Sequence, residues 1–312
     1  MLARTDPAAH DHPSDHVPAV QDIPRVSPPA PRWGDLRLRI LSASVLAPLA
    51  LGCIWIGGLA FAGLIALISI GLSYEWLVLC AKHPSPPATP LFALLFAAPP
   101  LAVALTECGY PAPALALLAV ATASGLALDR QRRLVPEIPH LGIPYLGIRY
   151  LGIPYLGPAA LALVWLRRQP GSGIANVFVL LLVIWASDVG AYMAGRAFGG
   201  WKLAPSISPA KTWSGALGGV AAAAAVGFAA SVVLGHGLGS PRPAGFAALI
   251  AVIAQAGDLF ESHLKRQFGV KDSGSMIPGH GGLLDRLDAV LTAAPATALL
   301  ALILGPGVVL WK

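Results

Sequence analysis

The chain has 312 residues, of which 56% are hydrophobic and 12% are charged, with a mean hydropathy of +0.69. A soluble domain typically carries about twice that charged fraction, so the composition excludes an ordinary soluble enzyme. The net charge of +6 does not indicate nucleic-acid binding, because most cations lie between apolar runs, where they set membrane orientation.

The first segment, residues 1–33, is polar and rich in Pro, Asp and His. It has too few apolar side chains to offset the entropy of ordering, so we predict a disordered cytoplasmic tail. It does not resemble a secretory signal, because the first apolar run begins only near residue 40.

Apolar runs long enough to cross a bilayer, roughly 17–25 residues each, recur along the rest of the chain. They lie at about 40–57, 59–79, 90–106, 111–128, 150–166, 175–194, 213–235, 243–262 and 287–310. No alternating strand pattern accompanies them, so we predict an all-α, polytopic transmembrane helical bundle with about nine spans. A cytoplasmic N-terminus then puts most cations on the inner side.

We divide the chain into the tail, an N-terminal transmembrane region at 34–170 and a C-terminal catalytic transmembrane region at 171–312. In the N-terminal region, Glu75 lies beside Trp76 near the end of the second run, and we interpret this pair as an interface anchor. Residues 141–157, LGIPYLGIRYLGIPYLG, repeat every five residues. That period fits neither helix nor strand, so it predicts an irregular or broken helix.

Three polar elements lie on the predicted cytoplasmic side. In the first, Asp188, Tyr192 and Arg196 are four residues apart and share one helix face. A structural pair between Asp188 and Arg196 explains this element as well as a functional site does. The second element is a polar loop at 202–213 that contains Pro and Lys residues.

The third element, residues 262–288 (SHLKRQFGVKDSGSMIPGHGGLLDRLD), is the most polar part of an apolar chain. Charged groups between membrane-spanning segments are costly, so they indicate a functional site. Just upstream, Asp258 and Glu261 have the spacing of one helix face, and so do Asp285 and Asp288. Two such carboxylate-bearing faces are typical of a site for Mg²⁺, which usually takes one or two carboxylates together with water and phosphate oxygens.

The same stretch contains groups that suit phosphate. The segment 279–282, GHGG, lets the backbone approach a phosphate closely, and four cations can neutralise its charge. These cations are Lys265, Arg266, Lys271 and Arg286. Carboxylates for a metal and cations for phosphates, at a membrane surface, indicate phosphoryl or nucleotidyl transfer to a lipid head group. His280 is either a general acid–base or a loop residue that bonds a backbone carbonyl.

Residues 262–288 resemble the signature of the phosphatidate cytidylyltransferases, also called CDP-diacylglycerol synthases. The pattern S-x-L-K-R-x4-K-D-x-G-x2-I-P-x-H-G-G-L-x-D-R-L-D is matched at every defined position over 27 residues. Residues 187–219 are similar to a second motif of that family, which contains an SPxKT element. The resemblance extends over about 180–312.

The resemblance implies an enzyme that joins CTP and phosphatidic acid into CDP-diacylglycerol, releases pyrophosphate and uses Mg²⁺. It implies that Asp258 and Asp285 hold the metal and that Asp188 and Asp288 line the polar site. Further residues are predicted as catalytic groups or as ligands of the nucleotide and lipid phosphates. These are Ser208, Lys211, Thr212, Ser262, Lys265, Arg266, Lys271, His280, Gly281, Gly282 and Arg286. A second, monovalent cation and a homodimer stay open.

The resemblance also implies a multi-pass protein of the bacterial inner membrane, with the site facing the cytoplasm. One departure is that the family usually has an acidic residue after the TW of its second motif, where this chain has Ser214. An inactive relative is therefore one alternative. A CTP-dependent lipid kinase is another, whereas a CDP-alcohol phosphotransferase would need a DxxDGxxAR run that the sequence lacks. An ion transporter would place polar groups in both halves of the chain, but here they crowd into the second.

Overall fold

The computed structural model describes residues 33–81, 89–131, 145–235, 239–305 and 307–312, so the predicted tail, apart from Trp33, lies outside the described residues. Helices dominate the described part of the chain, and one short hairpin accompanies them. The elements are α1 Trp33–Ile56, α2 Gly58–Ala81, α3 Thr89–Glu107, α4 Pro111–Gln131, α5 Tyr145–Arg167, α6 Gly173–Phe198, β1 Lys202–Ala204, β2 Ser208–Thr212, α7 Trp213–Gly235, α8 Pro241–Gln267 and α9 Leu284–Leu304.

Six of the described helices, α1, α2, α6, α7, α8 and α9, are long and apolar enough to cross a membrane. The chain is therefore a multi-pass helical membrane protein, as predicted. The all-α prediction is wrong at the polar loop, where β1 and β2 form an antiparallel hairpin that pairs Lys202 with Thr212. The hairpin has no apolar alternation that would mark it in the sequence; it pairs its own backbone groups beyond the ends of α6 and α7.

The five-residue repeat does not break a helix within the described residues, because residues 145–157 lie in α5 with Pro154 inside. Proline is tolerated in membrane helices when neighbouring helices support the freed backbone groups. A five-residue step turns the glycines toward different neighbours. A Cβ at Gly152 would lie 2.6 Å from the Trp76 ring of α2, and one at Gly157 would lie 2.6 Å from Leu118 of α4.

The ninth apolar run was predicted to reach residue 310, but α9 ends at Leu304. Gly305 has a φ of 108°, which a helix cannot continue, and the chain then folds back. The side chain of Asn176 in α6 accepts a hydrogen bond from Leu310 N at 3.0 Å and donates one to Val308 O at 2.9 Å. Trp311 is fully buried beside them. The apolar residues after α9 therefore do not continue the helix. Residues 307–312 pack against α6 instead, and we call them the C-terminal strap.

The ends of the helices meet in two layers, which we call the inner and the outer end. At the inner end, Ser42 of α1 contacts His280 at 2.9 Å, and Glu75 of α2 accepts a hydrogen bond from Leu283 N at 2.9 Å. At the outer end, Arg167 of α5 donates to Trp55 O of α1 at 2.9 Å. Successive helices therefore run in opposite directions, as they do when each one crosses a membrane.

Close packing of α6 against α7 positions the polar hairpin between them. A Cβ at Gly218 would lie 2.2 Å from the Ala194 Cβ, and one at Gly190 would lie 2.8 Å from Gly218 O. Small residues at such interfaces let membrane helices approach closely, since van der Waals packing replaces the hydrophobic effect in lipid. The two helices thus hold the hairpin against α8.

Candidate active site

Two cavities share Asp188 of α6 and Asp258 of α8 in their linings, and the second also reaches Ile54 near the outer end. The first has a volume of about 400 Å³ and lies between α6, the hairpin, α7 and α8. Its polar lining consists of Asp188, Tyr192, Arg196, Lys211, Thr212, Gln255 and Asp258. The helix face that was predicted for Asp188, Tyr192 and Arg196 is confirmed.

The second cavity, of about 580 Å³, has mostly apolar walls. Side chains of α1, α2, α5 and α6 form these walls, among them Ile54, Leu72, Leu156 and Ile184. Its charged lining residues are Asp188, Asp258, Asp285, Arg286 and Asp288, and Ser69 adds a hydroxyl. Four carboxylates from three separate helices thus line one cavity, which shares Asp188 and Asp258 with the first.

An ion pair joins the hairpin to α8. Lys211 Nζ lies 2.5 Å from Asp258 Oδ2, and Ser262 Oγ lies 3.4 Å from Asp258 Oδ1. The side chains of Lys211 and Asp258 are 28% and 32% exposed, so water and ligands can reach the pair. An ion pair this exposed typically stabilises a fold by less than about 1 kcal/mol, and a phosphate can therefore replace the carboxylate at small cost.

A second, more buried cluster joins α8 to α9. Lys265 Nζ lies 2.6 Å from Asp285 Oδ1 and 3.2 Å from Glu261 Oε1. Ser273 N donates to both oxygens of Asp285, at 3.3 and 3.0 Å. Asp285 therefore faces the second cavity with its orientation fixed from two sides. Lys265, predicted as a phosphate ligand, lies between two carboxylates.

Two of the other predicted cations bind the backbone of neighbouring loops. Arg286 donates from Nε and Nη2 to His280 O, at 2.9 and 2.6 Å, while its exposed side chain also lines the second cavity. Arg266 donates to Ile207 O at 3.4 Å and to Val270 O at 3.1 Å, which ties α8 to the hairpin.

Several predicted site residues are described by the structure but lie outside the linings of both cavities. His280 contacts Ser42 through Nδ1, as a loop residue would, and Lys271 is exposed. Gly282 packs against Ser273 and Asp285, and Gly281 has a φ of 88°. The remaining residues of this set are Ser208, Ser262, Lys265 and Arg266.

Ser214, where the resemblance leads us to expect an acid, is not among the residues that line either cavity. Its hydroxyl donates to Gly199 O, just after α6, and lies 3.0 Å from Thr212 Oγ1. Thr212 Oγ1 in turn accepts from Gly215 N at 3.1 Å. Ser214 thus closes the junction of α6, β2 and α7.

Two polar residues of the inner end escaped the sequence analysis as site residues. Gln255 lines the first cavity and donates to Ser187 Oγ at 3.1 Å and to Ala216 O at 3.2 Å. Its position one turn before Asp258 was the signal that could have identified it. Glu75 and Trp76 are 2% and 1% exposed, so their interpretation as an interface anchor is wrong.

The carboxylates of the second cavity fit a hard divalent cation, because they offer only oxygen ligands. Among the described residues, no group of three or more His, Cys, Asp or Glu side chains is arranged to hold a metal ion. Mg²⁺ does not need such a group, since it usually takes one or two carboxylates and completes its shell with water and substrate phosphates.

Comparison with known proteins adds a family to this geometry. A sequence model of the cytidylyltransferase family matches residues 37–304, which include both cavities. The chain is 38% identical over 271 residues to a phosphatidate cytidylyltransferase of Brucella suis, covering 83% of this chain and 91% of that protein. It is 37% identical over 280 residues to the phosphatidate cytidylyltransferase of Pseudomonas aeruginosa, covering 85% and 96%.

Proposed function

The chain belongs to the cytidylyltransferase family, and we propose that it transfers CMP from CTP to phosphatidic acid, forming CDP-diacylglycerol and pyrophosphate. The observation that carries this proposal is that a cavity lined by Arg196 and Lys211 and a larger one walled by many apolar side chains share Asp188 and Asp258. A water-soluble nucleotide and a lipid have to meet at such a junction. The names of the Brucella and Pseudomonas relatives support the same reaction.

CTP binds in the first cavity. Its phosphates take the place of Asp258 as the partner of Lys211, and Arg196 and the Thr212 hydroxyl add donors from α6 and β2. Charge-assisted hydrogen bonds of this kind are roughly twice as strong as neutral ones, so the cavity selects a polyanion.

Phosphatidic acid binds in the second cavity. The apolar walls from α1, α2, α5 and α6 take part of an acyl chain, and Arg286 pairs with the phosphate. Arg286 is exposed and already fixed to His280 O, so its guanidinium is oriented before the lipid arrives. The exposed Lys271 lies on the same loop and adds positive charge for an anionic head group.

In the reaction, a phosphate oxygen of phosphatidic acid forms a bond to the α-phosphorus of CTP. The bond from that phosphorus to the oxygen bridging to the β-phosphate breaks, and pyrophosphate leaves with its electron pair. A phosphate monoester has a second pKa of about 6, so its oxygen needs little help from a general base. The chain's main task is to hold two polyanions in line, through Lys211 and Arg286.

Mg²⁺ is the expected cofactor, held by Asp258 and Asp285, and it supplies charge neutralisation at the phosphates of CTP. Lys265 holds Asp285 in place, and the phosphates of CTP release Asp258 from Lys211 so that it can bind the metal. Asp188 and Asp288 keep the surrounding lining acidic, which favours a cation over a free phosphate there.

All nine described helices cross the inner membrane in this proposal, with the N-terminus and the carboxylates of both cavities on the cytoplasmic side. The alternation of helix ends supports it, and so does the distribution of cations. The inner end carries Arg37, Arg39, Arg196, Lys202, Lys211, Lys265, Arg266, Lys271 and Arg286. Arg167, Arg168 and Arg242 lie at the outer end, so the bias follows the positive-inside rule. A homodimer stays a prediction that light scattering of the protein in detergent will test.

The test is to incubate purified protein with α-labelled CTP and phosphatidic acid, with and without Mg²⁺, and to separate labelled lipids by thin-layer chromatography. We expect Mg²⁺-dependent CDP-diacylglycerol from the wild type and none above background from Asp285→Asn. Glu107→Gln, the same chemical change at the outer end, keeps full activity. Retained turnover in Asp285→Asn contradicts the metal assignment. In a parallel incubation with γ-labelled CTP, label on the lipid contradicts the reaction in favour of a kinase.

A further inference from the structure

The structure assigns a new role to Glu75: we propose that it is a positioning residue that fixes the loop before α9 and, through Ser273, the orientation of Asp285. This inference rests on the proposed function only in naming Asp285 as a catalytic group. No sequence motif pointed to Glu75, which lies in the N-terminal half of the chain, far from the family signature.

Burial makes the carboxylate of Glu75 unusual. Glu75 is 2% exposed and lies near the inner end of α2, a helix long and apolar enough to span the membrane. Among the described residues it has no ion-pair partner within 4.0 Å. A buried carboxylate in this position is costly unless hydrogen bonds surround it, so its partners indicate why it is there.

Within the described part of the chain, the three side-chain hydrogen bonds of Glu75 come from residues 273–284. Leu283 N donates to Oε1 at 2.9 Å, and Leu284 N donates to Oε2 at 2.8 Å. These amides open α9, where the helix dipole favours a negative group. Ser273 Oγ donates to Oε2 at 3.3 Å. One side chain of α2 therefore holds both ends of the loop that carries the signature glycines and His280.

Ser273 connects this anchor to Asp285. Its hydroxyl donates to Glu75, and its backbone N–H donates to both carboxylate oxygens of Asp285. Packing leaves the three groups little freedom to move. A Cβ on Gly282 would lie 2.0 Å from Ser273 Oγ and 2.8 Å from Asp285 Oδ2, so only glycine fits between them.

A positioning role and a purely stabilising role of Glu75 predict different effects when its carboxylate is lost. If Glu75 only caps α9, its loss lowers the stability of the whole bundle and leaves turnover per folded molecule intact. If it orients Asp285, its loss lowers kcat and raises the Mg²⁺ concentration needed for half-maximal rate, with little change in KM for CTP. Residues that orient a metal ligand typically contribute about 10- to 100-fold to activity or metal affinity.

The test compares Glu75→Gln with Asn176→Ala, which removes buried hydrogen bonds at the outer end and is not among the residues that line either cavity. For Glu75→Gln we expect kcat to fall about 10- to 100-fold and the Mg²⁺ activation midpoint to rise. For Asn176→Ala we expect a lower unfolding temperature with kcat and the Mg²⁺ midpoint unchanged. Loss of activity in Glu75→Gln that only follows the folded fraction overturns the proposal.

Hydrogen–deuterium exchange in detergent provides a readout independent of activity. The amides of Ser273, Leu283 and Leu284 donate hydrogen bonds to Asp285 or Glu75, so we expect them to be protected in the wild type and peptides covering 273–284 to exchange faster in Glu75→Gln. Unchanged exchange in Glu75→Gln overturns the positioning role, whether or not the wild type is active. Absence of CDP-lipid formation by the wild type contradicts only the proposed function. If Glu75→Gln does not fold, Ser273→Ala removes the hydroxyl link alone. It should raise the Mg²⁺ midpoint several-fold, and an unchanged midpoint overturns the link.

Discussion

The two ends of the bundle use similar charged residues for different purposes. At the outer end, Arg167 donates to Ile54 O and Trp55 O at the end of α1, and Arg168 binds the end of α3 through Glu107. At the inner end, Lys211 and Lys265 bind the carboxylates of Asp258 and Asp285, which line cavities. The outer cations close helix ends, whereas the carboxylates that the inner cations bind line open space.

The difference lies in the partner. A carbonyl at a helix end cannot leave, so an arginine bound to it acts as a fixed cap on an otherwise unsatisfied group. A carboxylate in a cavity can lose its lysine partner when a phosphate binds that lysine. The free carboxylate can then bind a metal ion, which neutralises its charge as the lysine did. The exposure of the Lys211–Asp258 pair makes such an exchange inexpensive. Charge at the outer end thus serves stability, and charge at the inner end serves ligands.

The largest effect that would test this contrast is expected for Asp258→Asn. The change leaves the volume of the side chain almost intact but removes a charge shared by both cavities. We expect CDP-lipid formation to fall by at least about 100-fold, the size typical of a lost electrostatic group. The unfolding temperature in detergent should stay within about 2 °C, because an exposed ion pair contributes less than about 1 kcal/mol.

Glu107→Gln is the matched change at the outer end, where it removes the ion pair with Arg168. It should leave turnover unchanged. Turnover of Asp258→Asn above about a tenth of the wild-type value would contradict the proposed difference between the two ends. So would a loss of the folded state in Asp258→Asn that Glu107→Gln does not show.

The opposite pattern, lost stability with intact chemistry, is expected for Asn176→Ala. Asn176 is fully buried at the outer end and holds the C-terminal strap through Val308 O and Leu310 N. Leaving these two groups unsatisfied costs about 2–4 kcal/mol, which should lower the unfolding temperature by several degrees. Thermal unfolding followed by tryptophan fluorescence measures this, since Trp311 is buried in the same segment. A loss of kcat per folded molecule would show that the two ends are coupled.

Local spacing predicted much of the inner end. Asp188, Tyr192 and Arg196 were placed on one helix face by their four-residue spacing, and all three line the first cavity. Helix periodicity fixes such faces whatever the neighbouring helices do. Asp258 and Asp285 are 27 positions apart in the sequence, but they lie on adjacent helices joined by one loop, so their meeting could also be anticipated.

Long-range contacts and chain reversals could not be predicted from spacing. Glu75 meets Ser273 across 198 positions, and nothing local distinguishes a buried acid with three donors from one at the membrane interface. The end of α9 was missed because the strap at 307–312 is as apolar as a span. A hydropathy value reflects the free energy of moving a side chain out of water. It is therefore the same for a side chain buried in protein as for one buried in lipid.

The smallest expected effect concerns Ser214, the residue at which the resemblance fails. The outer-end arginines show that a polar group bound to a helix-end carbonyl serves stability, and Ser214 has such a partner in Gly199 O. Ser214→Ala loses one half-buried hydrogen bond, worth about 1 kcal/mol, and we expect turnover within about threefold of wild type.

Ser214→Glu gives the sharper test of the same position. A glutamate there would direct its charge toward Gly199 O, a carbonyl oxygen that repels it, unless its longer side chain turns into the first cavity. We expect no gain in turnover, because Asp188 and Asp258 already supply the acidic lining there. A rise in kcat of more than about tenfold, about 1.4 kcal/mol in the barrier, would show that the wild-type site lacks a carboxylate and that charge at this junction belongs with the cavities.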